Sequence, residues 1–150
     1  MELKVPPAEL VHLNPDQWTA PFWAAAAQHH LVCARCGNCG RFRMPPGPFC
    51  PRCRSQEVEW PRLSGQGTVF TYTIVTHPVM PILHGHLPYA VAAVTLSDAG
   101  GVRLLGNVVG IDSEELAVGL PVRVQWADIA EGVSVPRFGH DLDSRGRPSG

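Results

Sequence analysis

Four cysteines in the first half of the chain form two Cys-x-x-Cys pairs, Cys36/Cys39 and Cys50/Cys53, with ten residues between the pairs. Each pair supplies two thiolates from one tight turn, and a hairpin between the turns can bring all four around a single tetrahedral ion. In a reducing compartment, clustered cysteines indicate metal ligands before they indicate disulfides. The spacing therefore predicts a structural zinc (Zn2+) site with four thiolate ligands.

A fifth cysteine, Cys33, leaves the choice of ligands open on spacing alone, because Cys33 and Cys36 also form a Cys-x-x-Cys pair. We favour Cys36 and Cys39, since a glycine follows each and their spacer to Cys50 is compact. Cys33 is then expected to be a buried or free thiol. A nucleophilic role would need a neighbouring base, and only a histidine pair stands near Cys33 in sequence.

Arginines are concentrated around the predicted metal site, and two interpretations of them stay open. They compensate the negative charge of four thiolates, or they form a basic patch for a phosphorylated ligand or an acidic partner. The candidate ligand-binding arginines are Arg41, Arg43, Arg52 and Arg54.

The long loop at residues 77–88, HPVMPILHGHLP, contains a second group of candidate residues. His84 and His86 form a His-x-His pair near His77, which would suit a catalytic metal if a further ligand approached. Loop histidines are more often solvated or packing residues than metal ligands. The prolines and apolar residues of this loop indicate a shaped docking surface, so His84 and His86 are candidates for ligand binding. The chain shows no Ser/His/Asp set and no phosphate-binding glycine loop. We therefore predict a protein that is not itself an enzyme.

The elements that must position these residues divide the chain into four predicted parts. They are an N-terminal arm and helix at 1–30, a zinc ribbon at 31–62, a barrel at 63–140 and a flexible tail at 141–150. Asn14 matches a helix cap, and the alanine-rich stretch after it predicts a helix to about His30. Pro21 either kinks this helix or starts a second one after a Thr19 cap.

Strand chemistry begins after Gly65, and the expected fold is mainly β. Alternating apolar residues predict five short strands. Their expected ranges are 67–76, 88–97, 102–109, 121–127 and 133–138. A single helical turn is expected from Asp112 to Leu116, between the third and fourth strands. This pattern favours an OB-like Greek-key β-barrel over a small sandwich.

Composition excludes some classes of partner. The 150 residues carry a net charge of -1 with a pI of about 6.6, so no global field attracts nucleic acid or an anionic membrane. The apolar runs are too short to span a bilayer, and the N-terminus lacks the apolar core of a secretory leader. A cytoplasmic location is expected.

The order of motifs resembles a known family. The stretch LVCARCGNCGRFRMPPGPFCPRCRSQEVEW is followed by SGQGTVFTYTIV, PYAVAAVTL, LLGNVVG, LAVGLPVRV and VPRF. It is similar to the acyl-CoA-associated proteins that combine a rubredoxin-like zinc ribbon with an OB-fold domain and accompany thiolase-type enzymes. Two features depart from the family pattern. Arg54 stands where a glycine usually follows the last ligand, so that turn is expected to be distorted, and Cys33 is an extra thiol.

The resemblance implies a non-catalytic accessory subunit that docks on a thiolase-like or lipid-transfer-protein-type enzyme and helps hold or channel acyl-CoA. The CoA phosphates would then meet the ribbon arginines, and the acyl arm would follow the loop at 77–88. The alternative function is a single-stranded nucleic-acid-binding module. That alternative needs aromatic and basic side chains on the second and third barrel strands, where the sequence offers only Tyr89 and Arg103.

Overall fold

A short helix, α1, spans Ala20–Ala26 in the computed structural model, which describes residues 1–141. The helix is therefore shorter than the one predicted from Asn14 to about His30. The carboxylate of Asp16 accepts the backbone N–H groups of Trp18 and Thr19, at 3.0 and 2.8 Å, and holds a turn before the helix. Pro21 lies in the first helical turn, where its missing N–H costs no hydrogen bond.

The N-terminal arm packs along the second half of the chain. Leu3 is buried and donates its backbone N–H to Ile111 O at 3.1 Å. Lys4 donates its backbone N–H to Pro88 O at 2.7 Å, and a 3-10 turn at Ala8–Leu10 follows. The arm is thus attached to the barrel through backbone hydrogen bonds.

Three very short antiparallel strands form the ribbon. They are β1 (Ala34–Cys36), β2 (Phe42–Arg43) and β3 (Val58–Glu59), in the order β2-β1-β3. Strands of this length bury little apolar surface. The ribbon therefore depends on its metal site and on its packing against the barrel.

Five longer strands form the second sheet, close to the five predicted ranges. They are β4 (Gln66–Val75), β5 (Tyr89–Leu96), β6 (Arg103–Asn107), β7 (Pro121–Ala130) and β8 (Val133–His140), in the order β6-β5-β4-β7-β8. A parallel bridge joins Val108 to Phe138, and Val109 donates its N–H to Phe138 O at 2.8 Å. This contact links the two edge strands and closes the OB-like barrel, which confirms the predicted fold class.

The core lies inside the barrel and under α1. Every second residue of β5 is buried, as the alternating sequence predicts, and Phe22 of α1 joins the same cluster. The expected turn after β6 is present, because Glu115 donates its N–H to Asp112 O at 3.0 Å. The 3-10 turn at Pro81–Leu83 inserts the buried Leu83 from the long loop.

The predicted tail begins at Asp141, which is itself buried against the barrel. Its carboxylate accepts hydrogen bonds from Arg123 Nε at 3.4 Å and Gln66 Nε2 at 3.3 Å. The rest of that predicted tail, residues 142–150, lies outside the described residues. Within residues 1–141, none of the helices is both long enough and apolar enough to span a bilayer.

Candidate metal centre and flanking surfaces

The structure brings together the sulfur atoms of Cys36, Cys39, Cys50 and Cys53, all within 4.8 Å of one another. Within residues 1–141 this is the one group of three or more potential ligands placed to hold a metal ion. Four soft thiolates at the corners of a compact cluster fit tetrahedral zinc and leave no open coordination position. The site is therefore suited to stabilising the ribbon rather than to activating water.

The two metal-binding turns share one backbone pattern. In the first, Cys36 donates its N–H to Arg41 O at 2.8 Å, and Gly40 donates its N–H to Cys36 O at 3.0 Å. In the second, Cys50 donates to Ser55 O at 2.8 Å, and Arg54 donates to Cys50 O at 2.9 Å. The second turn therefore reproduces the first, and the distortion expected at Arg54 does not occur.

Backbone N–H groups point at the sulfurs and favour the thiolate form. Those of Cys39 and Asn38 donate to Cys36 Sγ at 3.4 Å each and hold the pKa of Cys36 below its usual value. The N–H of Cys53 lowers the pKa of Cys50 to about 6. The N–H of Arg41 also lowers the pKa of Cys39, but burial and the adjacent thiols outweigh it, giving about 11.

Arg54 adopts the left-handed conformation that its glycine counterpart adopts in the first turn. Its φ is 63°, against 77° at Gly40. A side chain in this region costs roughly 1–2 kcal/mol, whereas glycine pays almost no steric cost there. We expect Arg54→Gly to stabilise the ribbon by about 1 kcal/mol, measured as slower zinc release to a chelator and a higher urea midpoint. Gly40→Ala is the matched control and should destabilise it, so a faster zinc release from Arg54→Gly would contradict the prediction.

Cys33 lies outside the group of four ligands. It is fully buried, and its thiol points at Ala34 O and Arg43 O, 3.7 and 3.8 Å away. Burial raises the pKa of Cys33 to about 11, so the thiol stays protonated and unreactive at neutral pH. This matches the buried thiol expected from the sequence.

The ribbon arginines do not form a single patch. Arg41 and Arg52 are exposed and line one cleft of about 350 Å³, together with Gly100 and Gly101. Arg43 is buried instead, and within residues 1–141 its Nε and Nη1 meet no hydrogen-bond partner.

The remaining arginines of the ribbon have separate environments. Arg35 pairs with Glu59 at 2.8 Å, Arg54 is exposed on the second metal-binding turn, and Arg62 is exposed after β3. Among the ribbon arginines in the described part of the chain, Arg41 and Arg52 are the two that line the same cleft.

The loop histidines are not brought together as metal ligands in the described part of the chain. His84 is exposed, while a ring nitrogen of His86, Nδ1, lies 3.0 Å from Val5 O. His77 hydrogen-bonds its neighbour Thr76 at 3.0 Å. His86 therefore serves to attach the N-terminal arm to the loop.

A cluster that the sequence did not reveal joins the turn after α1 to the β7–β8 hairpin. The Asp128 carboxylate accepts the hydroxyl of Ser134 and lies 2.7 Å from His29 Nε2, while the His29 ring stacks on Trp126. The hydrogen bond from Ser134, and then the one from His29, lower the pKa of Asp128. The serine donates to the carboxylate and not to the histidine, so this is a tertiary contact and not an activated nucleophile.

The contact between Asp128 and Ser134 could have been predicted from the sequence. The two residues are cross-strand partners in the hairpin, so a predicted register would pair them. His29 comes from a distant segment, and no local signal indicates its position.

An apolar groove of about 520 Å³ lies between the N-terminal arm, α1, the long loop and the barrel strands β5, β6 and β8. Tyr89, one of the two residues considered for nucleic-acid binding, lines this groove. The other, Arg103, places its guanidinium 3.6 Å from the ring centroid of Phe70. The described barrel surface thus offers one aromatic and basic pair, rather than the series of stacking platforms that bound single strands require.

Comparison with known proteins follows the same division of the chain. Residues 23–59 match the family described as "ChsH2, rubredoxin-like zinc ribbon domain", and residues 60–127 match "ChsH2, C-terminal OB-fold domain". Together the fold and the metal site define a zinc ribbon joined to an OB-fold domain.

Among curated proteins, a DUF35 domain-containing scaffold protein of Methanocaldococcus jannaschii is 31% identical over 122 residues, which are 80% of this chain and 84% of the relative. A probable enoyl-CoA hydratase alpha subunit of Thermomonospora curvata is 38% identical over 118 residues, 78% of this chain. The matched region is only 36% of that subunit's length. The chain belongs to the DUF35 family, which confirms the resemblance read from its motifs.

A solved structure titled "Ltp2-ChsH2(DUF35) aldolase" is similar over 87% of this chain and 100% of the matched chain. Its TM-score is 0.79, and its sequence is 34% identical. The similarity includes the ribbon and the barrel in one arrangement.

Proposed function

We propose that this chain is a non-catalytic accessory subunit that docks on a thiolase-superfamily enzyme, an acyl-CoA acyltransferase or a steroid side-chain type aldolase, and helps hold or channel acyl-CoA. The observation that carries the proposal is the similarity to the Ltp2-ChsH2(DUF35) aldolase chain. The similarity covers 100% of that chain and 87% of this one.

The chemistry of the described residues supports an accessory role. The metal group is a set of four thiolates without an open position, and the Ser134–Asp128–His29 contact lacks an activated nucleophile. Thiolate ligands also need a reducing environment, which the cytoplasm provides.

The cleft between ribbon and barrel is the best candidate for the CoA phosphates. Arg41 and Arg52 line it from the ribbon, and Gly100 and Gly101 line it from the β5–β6 turn. Guanidinium groups bind phosphate oxygens through paired, charge-assisted hydrogen bonds, and glycines allow a ligand to approach the backbone closely. The same two arginines also lie beside Cys39, so they would reduce the charge of the thiolates.

Docking is tested by tagging the full chain in its own organism and identifying what copurifies by mass spectrometry. We expect a thiolase-like subunit in stoichiometric amount, and a change in its acyl-CoA turnover when this chain is added back. Copurification without such a subunit, together with no effect on the purified enzyme, would overturn the proposal.

Replacing both Arg41 and Arg52 with glutamine should weaken CoA binding about tenfold, because two charge-assisted hydrogen bonds to phosphate are lost at an exposed site. Isothermal titration calorimetry with CoA measures the change, and the wild-type affinity should fall as salt rises. Arg35→Gln is the matched control, since Arg35 is already paired with Glu59 at 2.8 Å. Unchanged affinity in the double variant would place the CoA phosphates elsewhere.

A further inference from the structure

The apolar groove contains one charged side chain among its described lining residues, Arg137 of β8. The walls come from Val79 and Met80 of the long loop, Leu104 and Leu105 of β6, and Val135 of β8. Val79 is 79% exposed and Leu105 is 69% exposed. Large apolar side chains rarely remain this exposed around a concave surface unless something binds there.

Arg137 is half-buried and unpartnered. Within residues 1–141 its Nε is shielded from solvent and meets no hydrogen-bond acceptor. Burial lowers the pKa of Arg137, which reflects the cost of keeping its charge in apolar surroundings. A bound oxygen acceptor would offset this cost.

The acceptor is not supplied by nearby carboxylates. Glu9 and Asp128 line the adjoining groove on the other side of Arg137, but Asp128 is bonded to His29 and Ser134. Neither carboxylate forms an ion pair with Arg137 within the described residues.

We propose that this groove binds an acyl chain, with its apolar body along the walls and its terminal carbonyl or carboxylate oxygen accepting hydrogen bonds from Arg137. The inference rests on the proposed function for the class of ligand, and it adds the residue that recognises the acyl oxygen. A groove of about 520 Å³ falls within the range of small-molecule sites. Asn107 also lines the groove, and its Nδ2 is already used in a hydrogen bond to Ala90 O at 3.1 Å, so Arg137 is left as the donor to the acyl oxygen.

The arginine cleft reaches the residue that precedes β6, and the groove lies along β6. Val102 lines the cleft and Gly106 lines the groove. The rise of a β-strand places these two residues about 13 Å apart. An extended CoA arm is longer than this separation, so one acyl-CoA molecule has the reach to occupy both.

The test is calorimetric titration of the zinc-loaded full chain with decanoate, decanol, decanoyl-CoA and CoA. We expect decanoate or decanoyl-CoA to bind about tenfold more tightly than decanol, because a charge-assisted hydrogen bond is made only to a carbonyl or carboxylate oxygen. Arg137→Gln should weaken the acid and the thioester about tenfold and leave decanol unchanged. Tighter binding of decanoyl-CoA than of CoA, lost in Arg137→Gln, assigns a thioester as the source, and binding of decanoate with no gain of decanoyl-CoA over CoA assigns a free acid.

Two further variants distinguish a loss of binding from a folding defect in Arg137→Gln. Val79→Glu changes a highly exposed rim residue and should also weaken decanoate, because it adds a like charge at the mouth of the groove. Arg103→Gln removes an arginine that stacks on Phe70 outside the groove and should have no effect.

Wild-type affinity in Arg137→Gln, equal binding of decanol and decanoate, or no binding of any of these chains would overturn the acyl site. None of these results would alter copurification of a thiolase-like subunit, so the two proposals fail separately.

Discussion

Cys36→Ser should lose its zinc and unfold the ribbon, whereas Cys33→Ser should retain the metal. Cys36 lies in the group of four sulfurs and receives two backbone N–H groups. A serine hydroxyl at neutral pH is not ionised and binds zinc poorly compared with a thiolate. The substitution therefore removes a ligand together with the hydrogen bonds that stabilise its charge.

The expected effect is large because the ribbon has little else to hold it. Its three strands contain only two or three residues each. Structural zinc contributes about 10–16 kcal/mol in small zinc-binding domains, so losing one ligand exceeds what such short strands can recover. Elemental analysis should show zinc falling from about one ion per chain to a small fraction of that, and circular dichroism should report the lost structure.

Cys33→Ser is the matched control for Cys36→Ser. It places a hydroxyl in a dry site whose nearest acceptors are 3.7 and 3.8 Å from the sulfur, so a cost of about 1–3 kcal/mol in unfolding free energy is expected. Its zinc content should match that of the wild type. Loss of zinc from Cys33→Ser with retention in Cys36→Ser would show that Cys33 is a ligand and that the register is wrong.

The metal site and the barrel could both be predicted because their signals are local. Two Cys-x-x-Cys pairs at this spacing are typical of metal-binding turns. The alternating sequence of β5 corresponds to alternating burial in the structure. The five barrel strands begin and end near the predicted residues for the same reason. The same pattern favoured an OB-like barrel over a sandwich, but it does not specify which strand edges meet, so the contact between β6 and β8 could not be predicted from it.

The predicted helix begins too early because the capping residue is Asp16 and not Asn14. The Asp16 carboxylate accepts the N–H groups of Trp18 and Thr19, and Ala20 donates its N–H to Asp16 O at 2.9 Å, so the turn that leads into α1 starts at Asp16. Pro21 then sets the first turn of the shorter helix, as the second of the two predicted alternatives had it.

Arg54 and Arg137 show two different limits of the sequence. The turn at Arg54 is expected to be distorted because the family usually has glycine there, but Arg54 adopts the positive φ of a glycine and the turn keeps its geometry. In the sequence Arg137 has no feature that separates it from other strand residues. The groove around it is formed by the long loop, the N-terminal arm and β6, which are distant in sequence. Sites assembled from separate segments are therefore the part that sequence analysis misses.

Phe138→Ala should cost about 3–5 kcal/mol of unfolding free energy, the usual range for a fully buried aromatic side chain. Phe138 is 0% exposed and lies at the seam, the contact of β8 with Val108 and Val109 that closes the barrel. Its backbone O accepts the N–H of Val109 there at 2.8 Å. Its ring lies over Gly106, since a methyl group there would come within 2.9 Å of Phe138 Cε2. Removing the ring leaves a cavity at the parallel contact that closes the barrel, and urea unfolding followed by circular dichroism measures the loss.

Phe70→Ala removes the same side chain from the barrel surface and is the matched control. Phe70 is 49% exposed, and the guanidinium of Arg103 lies 3.6 Å from its ring centroid, a contact worth about 0.5–1 kcal/mol. A loss for Phe138→Ala no larger than that for Phe70→Ala would show that the seam does not hold the barrel closed. Opening the contact between β6 and β8 would also separate two walls of the apolar groove, so ligand binding in the groove should be lost together with stability.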